Sequence, residues 1–209
     1  NNGGDGYVVA RLLHQNAAQV DLFLMSQRAA VSGDAADHLL QMERAGVQVN
    51  EFSERTLEGL SSALEACDLV VDALLGIGLR NGPRDNAGLA IDRINASGRP
   101  VVAVDIPSGV DADTGMTPGK SVCATVTVTF GLPKVGHLFF PGKAHCGALH
   151  LADIGFAKSA LNDLQSVARL LDGYAMNALL PRRPGDAHKG SCGTVAVVAG
   201  SVGMTGAAA

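Results

Sequence analysis

Two aspartates stand in otherwise apolar stretches, Asp72 within residues 69–75 (LVVDALL) and Asp105 within residues 101–106 (VVAVDI). Burying a carboxylate without a partner is costly, so each needs a donor, a cation or a ligand beside it. A helix cap or a salt-bridged loop anchor would satisfy either one singly. Each is followed by a polar, glycine-rich turn: Gly76-Ile77-Gly78-Leu79-Arg80-Asn81-Gly82 in the first case, and Asp105 through Ser108, Asp111 and Asp113 to Gly115 in the second. A third turn of this kind, Asn1-Asn2-Gly3-Gly4-Asp5-Gly6, opens the chain. The residues after it read as a helix, with Tyr7, Val8, Val9, Leu12 and Leu13 recurring on one face. Glycines that admit a close approach, ahead of a helix whose first N–H groups lack partners, make a cradle for an anion. A plain loop with a helix cap is the other reading of the hexapeptide. Two aspartates at one strand edge, each leading into such a turn, favour a site.

These residues need a scaffold, and the hydrophobic pattern supplies one. Strands are expected at residues 20–25, 47–49, 69–75, 101–106, 124–130 and 148–152. Helices are expected at 34–45, with Leu39, Leu40 and Met42 turned inward, at 56–67 and at 86–97. Strands that are apolar on both faces and alternate with helices predict an α/β fold with a doubly wound, mostly parallel sheet. In such a sheet ligands bind beyond the carboxyl ends of the strands, where the strand order reverses, and all three turns would lie on that edge. Residues 159–180 read as a polar, then helical, connector. Pro181-Arg182-Arg183-Pro184-Gly185 is a linker signal, and residues 194–199 (TVAVVA) are expected to begin a fresh strand.

Other chemistries fit less well. Asp111-x-Asp113-x-Gly115 has the start of a calcium loop, but Val122 stands where the bidentate glutamate belongs. His137, His145, Cys146 and His150 lack zinc-ligand spacing. Ser108 lies in Pro-Ser-Gly rather than in a nucleophile elbow. No G-x-G-x-x-G with a later acidic residue is present, which disfavours a plain NAD-dependent dehydrogenase.

Composition narrows the field further. The 209 residues are 47% hydrophobic and 17% charged, enough for one full α/β domain and part of another. A net charge of −4, with no Trp and two Tyr, argues against a nucleic-acid binder. Mean hydropathy is +0.20, and no apolar run approaches the ~20 residues that span a bilayer, so no membrane partner is expected. Cys67, Cys123, Cys146 and Cys192 are scattered, which suits a reducing cytoplasm. The chain starts at Asn1 inside a motif and stops at Ala209 in an apparent first helical turn, so it is expected to be a piece cut at both ends.

Taken together, N-N-G-G-D-G, V-D-A-L-L-G-I-G-L, V-D-I-P-S-G-V-D-A-D-T-G and T-F-G-L-P-K resemble the NAD(P)H-hydrate epimerase family, over residues 1 to about 157. The tail from His188 through Gly200-Ser201-Val202-Gly203-Met204-Thr205-Gly206-Ala207 is similar to the opening of a ribokinase-like NAD(P)H-hydrate dehydratase. The resemblance implies an epimerase domain over 1–158, lacking its first strand, a connector over 159–186 and the start of a dehydratase domain over 187–209. It implies metabolite repair: epimerisation of the R and S forms of hydrated NADH and NADPH, in tandem with ADP- or ATP-dependent dehydration. It places substrate contacts on Asn1, Asn2, Gly3, Gly4, Asp5, on Gly76 through Gly82, on Asp105 and, in the tail, on Ala207. It places potassium ligands on Asn2, Asp72 and Ser108, and a homo-oligomer in the full-length protein. An amide, one carboxylate, a hydroxyl and carbonyls suit a hard cation of low charge.

Asp105 is the candidate acid/base and Lys134 the second candidate, as a cation near developing charge or a proton relay. A carboxyl at its ordinary pKa of about 3.9 is too acidic to donate a proton at pH 7, so desolvation is expected to raise that of Asp105. The competing readings are a non-catalytic binding or interaction module of the same fold, and a small-molecule kinase built on the tail.

Overall fold

The computed structural model describes residues 2–51, 53–79, 81–162, 168, 170–180, 183–188, 190–204 and 206. Two compact units divide the chain, Asn1–Leu164 and Gln165–Ala209. The first is α/β in the order α1 (Asn2–Gln15), β1 (Leu22–Leu24), α2 (Asp34–Arg44), β2 (Val49–Glu51), α3 (Glu54–Ala66), β3 (Val70–Asp72), α4 (Asp85–Ala96), β4 (Val101–Val104), β5 (Val126–Phe130), β6 (Ala148–Ala152) and α5 (Lys158–Asn162). Among the described residues the strands form two parallel sheets, β1-β2 and β3-β4-β5-β6. Asp72 pairs in register with Ala103, which puts Asp72 at the carboxyl end of β3 and Asp105 just past that of the adjacent β4.

Capping and packing explain the helices. α3 begins at Ser53, whose hydroxyl accepts the Thr56 N–H at 3.1 Å. α2 carries Asp34 and Asp37 in its first turn and Arg44 in its last, charges that suit the helix dipole. One core gathers Tyr7, Ala10, Leu24, Leu39 and Met42 between α1, α2 and β1. A second gathers Leu60, Leu64, Ile91, Ile94, Val101 and Val122 around α3, α4 and β4.

Several expectations change. The opening hexapeptide does not precede α1 but forms its first turns, from Asn2 onward. The buried face of α1 is Asn2, Gly4, Tyr7 and Ala10, while Leu12 and Leu13 are exposed. Small residues face inward because α1 lies too close to its neighbours for branched ones. A Cβ on Gly4 would stand 3.4 Å from Ala35 Cα, and one on Gly6 only 2.7 Å from Ala73 Cβ. Leu40 is 42% exposed rather than inward, since α2 turns Leu39 and Met42 to the core.

In β5 the buried positions are Thr127 and Thr129, and their hydroxyls are answered by Cys146 O at 2.7 Å and by the Asp105 carboxylate. The expected strand at 194–199 is absent: those residues are exposed and unpaired, Val198 at 99%. β-branched residues favour a strand only where a pleated neighbour buries them. The second unit holds α6 (Gly173–Leu179), capped by Asp172, whose side chain accepts the Ala175 N–H at 2.7 Å.

Candidate active site

β3 ends on Asp72, whose side chain is wholly buried. One of its oxygens accepts the Ser108 N–H at 2.8 Å, and the other accepts the Ser108 hydroxyl at 2.6 Å and the Leu74 N–H at 3.3 Å. Ser108 Oγ in turn accepts the Leu75 N–H at 2.9 Å. The Asn2 amide, from the start of α1, donates to the Leu75 carbonyl at 3.0 Å. Asn2, Asp72 and Ser108, 106 residues apart at the extremes of sequence (108 minus 2), therefore converge around the backbone of Leu75.

Ser108 is held in place by its neighbour. Gly109 has a φ of +102°, and a Cβ there would lie 2.2 Å from the Lys120 carbonyl oxygen, so only glycine fits. Gly76 closes on Asn2 in the same way, a Cβ standing 2.9 Å from Asn2 Cβ.

Burial pushes the Asp72 carboxyl up, against the opposing pull of the Ser108 side chain and the Ser108 and Leu74 N–H groups. Among the described residues no ion pair reaches it; the three present are Arg28–Glu43, Lys120–Asp92 and Lys134–Asp105. A buried carboxylate bonded to a hydroxyl and two backbone N–H groups, near the Leu75 carbonyl and without a cationic side chain, has oxygens of the kind that a hard monovalent ion would take.

Asp105, one residue past β4, adopts a left-handed φ of +65°, which an aspartate tolerates better than most residues. Its Oδ1 accepts the Thr129 hydroxyl at 3.0 Å, the Phe130 N–H at 3.1 Å and the Lys134 ammonium. Lys134 Nζ also donates to Thr129 Oγ1 at 2.8 Å and to Phe130 O at 3.3 Å. All three donors fall on Oδ1, and none of them engages Oδ2. Lys134 is drawn into the site: its side chain is 21% exposed, against 14% for Asp105.

The carboxyl of Asp105 moves opposite to expectation. Burial raises it, but the Lys134 hydrogen bond and charge, with Phe130 N–H and Thr129, outweigh burial and hold it below the ordinary carboxylate range. Asp105 is thus an acceptor here, and the Lys134 side chain is the donor of the pair.

His137, which lacks zinc-ligand spacing, has a different part in the site. It is buried, and its Nε2 donates to the Asp105 carbonyl oxygen at 2.9 Å while Nδ1 accepts the Lys134 N–H at 3.0 Å. Those roles require the neutral ring, and burial, the largest influence, lowers its pKa. One imidazole thus ties the backbones of both acid/base candidates together. No spacing signal marks it, because its partners are main-chain atoms.

The other expected residues are less gathered. Gly3 and Gly4 lie in the first turn of α1, and Asp5 is exposed. Ile77, Gly78 and Asn81 are exposed, Leu79 is half-buried, and Gly82 packs on Pro118, with a Cβ 2.9 Å from its carbonyl oxygen. Asn1, Arg80 and Ala207 lie outside the described residues. Asp111 forms a local turn, its Oδ1 accepting the Asp113 and Thr114 N–H groups at 2.9 Å each. His145 faces Cys123 at 3.6 Å and Cys146 is buried against Gly142 O at 3.3 Å; no group of three His, Cys, Asp or Glu gathers for a metal among the described residues.

The chain is similar to known proteins along its whole length. The bifunctional NAD(P)H-hydrate repair enzyme Nnr of Moorella thermoacetica is 41% identical over 99% of this chain and 39% of its own length. The chain therefore spans about two fifths of that relative. The NAD(P)H-hydrate epimerase of Weissella koreensis is 38% identical over 77% of this chain and 69% of its own length. The crystal structure of yeast ynu0 shares the fold, with a TM-score of 0.64 at 24% identity over 77% of this chain and 65% of that one. The family described as YjeF-related protein N-terminus matches residues 1–136, and the chain belongs to it.

Proposed function

We propose that this chain carries an NAD(P)H-hydrate epimerase, interconverting the R and S forms of C6-hydrated NADH and NADPH. The observation that carries the reading is the pairing of Asp105 with Lys134, one strand over from the convergence of Asn2, Asp72 and Ser108. The curated names of the relatives from Moorella and Weissella support the same substrate class.

In the hydrate, the hydroxyl-bearing C6 is bonded to the ring nitrogen N1. The nitrogen lone pair expels that hydroxyl once it is protonated, leaving a flat C6, and water adds back to either face. Lys134 gives the proton to the departing hydroxyl and recovers one from the incoming water, so protons balance over the cycle. The carboxylate of Asp105 orients the hydroxyl or water and offsets the positive charge on the ring. His137 positions both. No C–H bond breaks.

Asn2, Asp72, Ser108 and the Leu75 carbonyl would hold potassium. The ion would supply the counter-charge that Asp72 lacks and fix the three loops against the substrate phosphates. The first turn of α1 and the 76–82 turn would receive those phosphates. ADP- or ATP-dependent dehydration of the S form by a following domain, a cytoplasmic setting and a homo-oligomeric state complete the reading. The four cysteines are free, and no described helix is long and apolar enough to cross a membrane.

The test is a chromatographic assay that resolves the stereoisomers, started from the pure R hydrate. The protein should bring R and S to equilibrium far faster than buffer alone. A rate equal to that of buffer overturns the assignment.

A further inference from the structure

A cavity of about 470 Å³ opens between the segment after β1, the first half of α2 and the end of β2. Its walls include Arg28, Ala36, Leu39, Leu40 and Glu51. The size is in the range that encloses small-molecule groups.

The cavity lies at the carboxyl end of the β1-β2 sheet, on the side toward which α1 begins. α1 starts at Asn2, beside Leu75 and beyond the carboxyl end of β3. It ends near His14, whose ring lies 3.4 Å from where a Cβ of Gly46 would stand, just ahead of β2. β2 therefore begins at the far edge and runs back, parallel to β1, toward the edge of Asn2. Its last residue is Glu51, at the cavity. The contact of Gly4 with Ala35 joins the first turn of α1 to the first turn of α2. A ligand whose phosphates rest on that turn of α1 has this cavity as its next station.

The chemistry of the walls selects an occupant. Ala36, Leu39 and Leu40 offer a flat ring an apolar face, and the exposure of Leu40 gains a purpose. Glu51 at the strand end offers a carboxylate that is oriented by the Arg28 N–H at 3.1 Å. The Arg28 guanidinium is already paired with Glu43. Two carboxylates against one guanidinium suit a neutral diol and repel a further phosphate.

We propose that this cavity is the adenosine subsite of the dinucleotide hydrate, with Glu51 accepting the ribose 2′-hydroxyl, so that the NADH form is preferred over its 2′-phosphorylated counterpart. Carboxylates at a strand end commonly take this role in doubly wound sheets. The proposal rests on the epimerase reading above.

The experiment compares three substrates: the hydrates of NADH, of NADPH and of reduced nicotinamide mononucleotide, which has no adenosine. The protein should favour the NADH hydrate over the NADPH hydrate by about tenfold or more in kcat/KM. Glu51→Gln should bring the two within about threefold. Leu40→Glu, at an exposed position that the fold tolerates, should lower kcat/KM for both dinucleotides relative to the mononucleotide. Equal use of NADH and NADPH hydrates, or a preference that survives Glu51→Gln, overturns the subsite. So does a Leu40→Glu variant whose ratio of dinucleotide to mononucleotide is unchanged. Failure to epimerise any of the three overturns the epimerase reading itself.

Discussion

Asp105 illustrates how the same carboxylate changes role with its neighbours. Its strand position suggests desolvation, but Lys134, Thr129 and the Phe130 N–H arrive from β5 and the turn after it, and together they stabilise the charged form. Asp105→Asn keeps the size and the Phe130 hydrogen bond but removes the charge. The epimerisation rate should fall by roughly 10²–10³ with little change in KM, the effect of losing a charge aimed at the transition state, measured in the stereoisomer assay. Survival of the maximal rate with a weakened KM would reduce Asp105 to a binding group. The folded pKa is depressed, so the carboxylate adds stability that is fully present above its unfolded value of about 4 and is lost as pH falls through the lower folded value. The melting temperature of Asp105→Asn should therefore lie below that of the wild type at pH 7, with the gap closing below about pH 4.

At the scale of elements, the decisive contact is the approach of α1 to the residues after β3. Gly6 lets the helix lie against Ala73, and that closeness carries the Asn2 amide to the Leu75 carbonyl. Gly6→Ala should separate them and destabilise by about 1–3 kcal/mol, the usual effect of overpacking, read from denaturant melts. It should also blunt any gain in stability from potassium over tetramethylammonium salts. Ala73→Gly in the same chain removes the opposing Cβ and should restore both. Failure of that rescue would show that the clash is not what Gly6 avoids. The periodicity of the sequence located α2, α3, α4 and the strands of the first unit, although β2 lies two residues beyond the expected 47–49. It did not reveal the buried face of α1, because glycine and alanine give no hydrophobic signal where packing is closest.

At the scale of the whole molecule, β4 is the most enclosed strand, paired with β3 on one side and β5 on the other and covered by the Ile91, Ile94 and Val101 core. β3 lies at the edge of its sheet among the described residues. Backbone amides of Val101–Val104 should exchange with solvent last and those of Val70–Asp72 earlier, as hydrogen exchange read by mass spectrometry would show. Equal protection would mean that β3 has a partner on its open side.

The sequence alone determined the α/β class, the parallel strands with buried faces and the three turns that lie beyond them, because strand and helix periods and glycine placement are local properties. It also carried the motifs by which the family is recognised. Only the tertiary structure decided what surrounds each site residue. The strand-ending Asp72 meets neutral donors while Asp105 meets an ammonium, so one carboxyl is pushed up and the other is held down. His137 joins the site through main-chain atoms that no residue pattern encodes, and β-branched residues 194–199 form no strand where no neighbour pairs with them. Protonation, burial and strand pairing depend on which groups meet across the chain, and that is fixed by packing rather than by local preference.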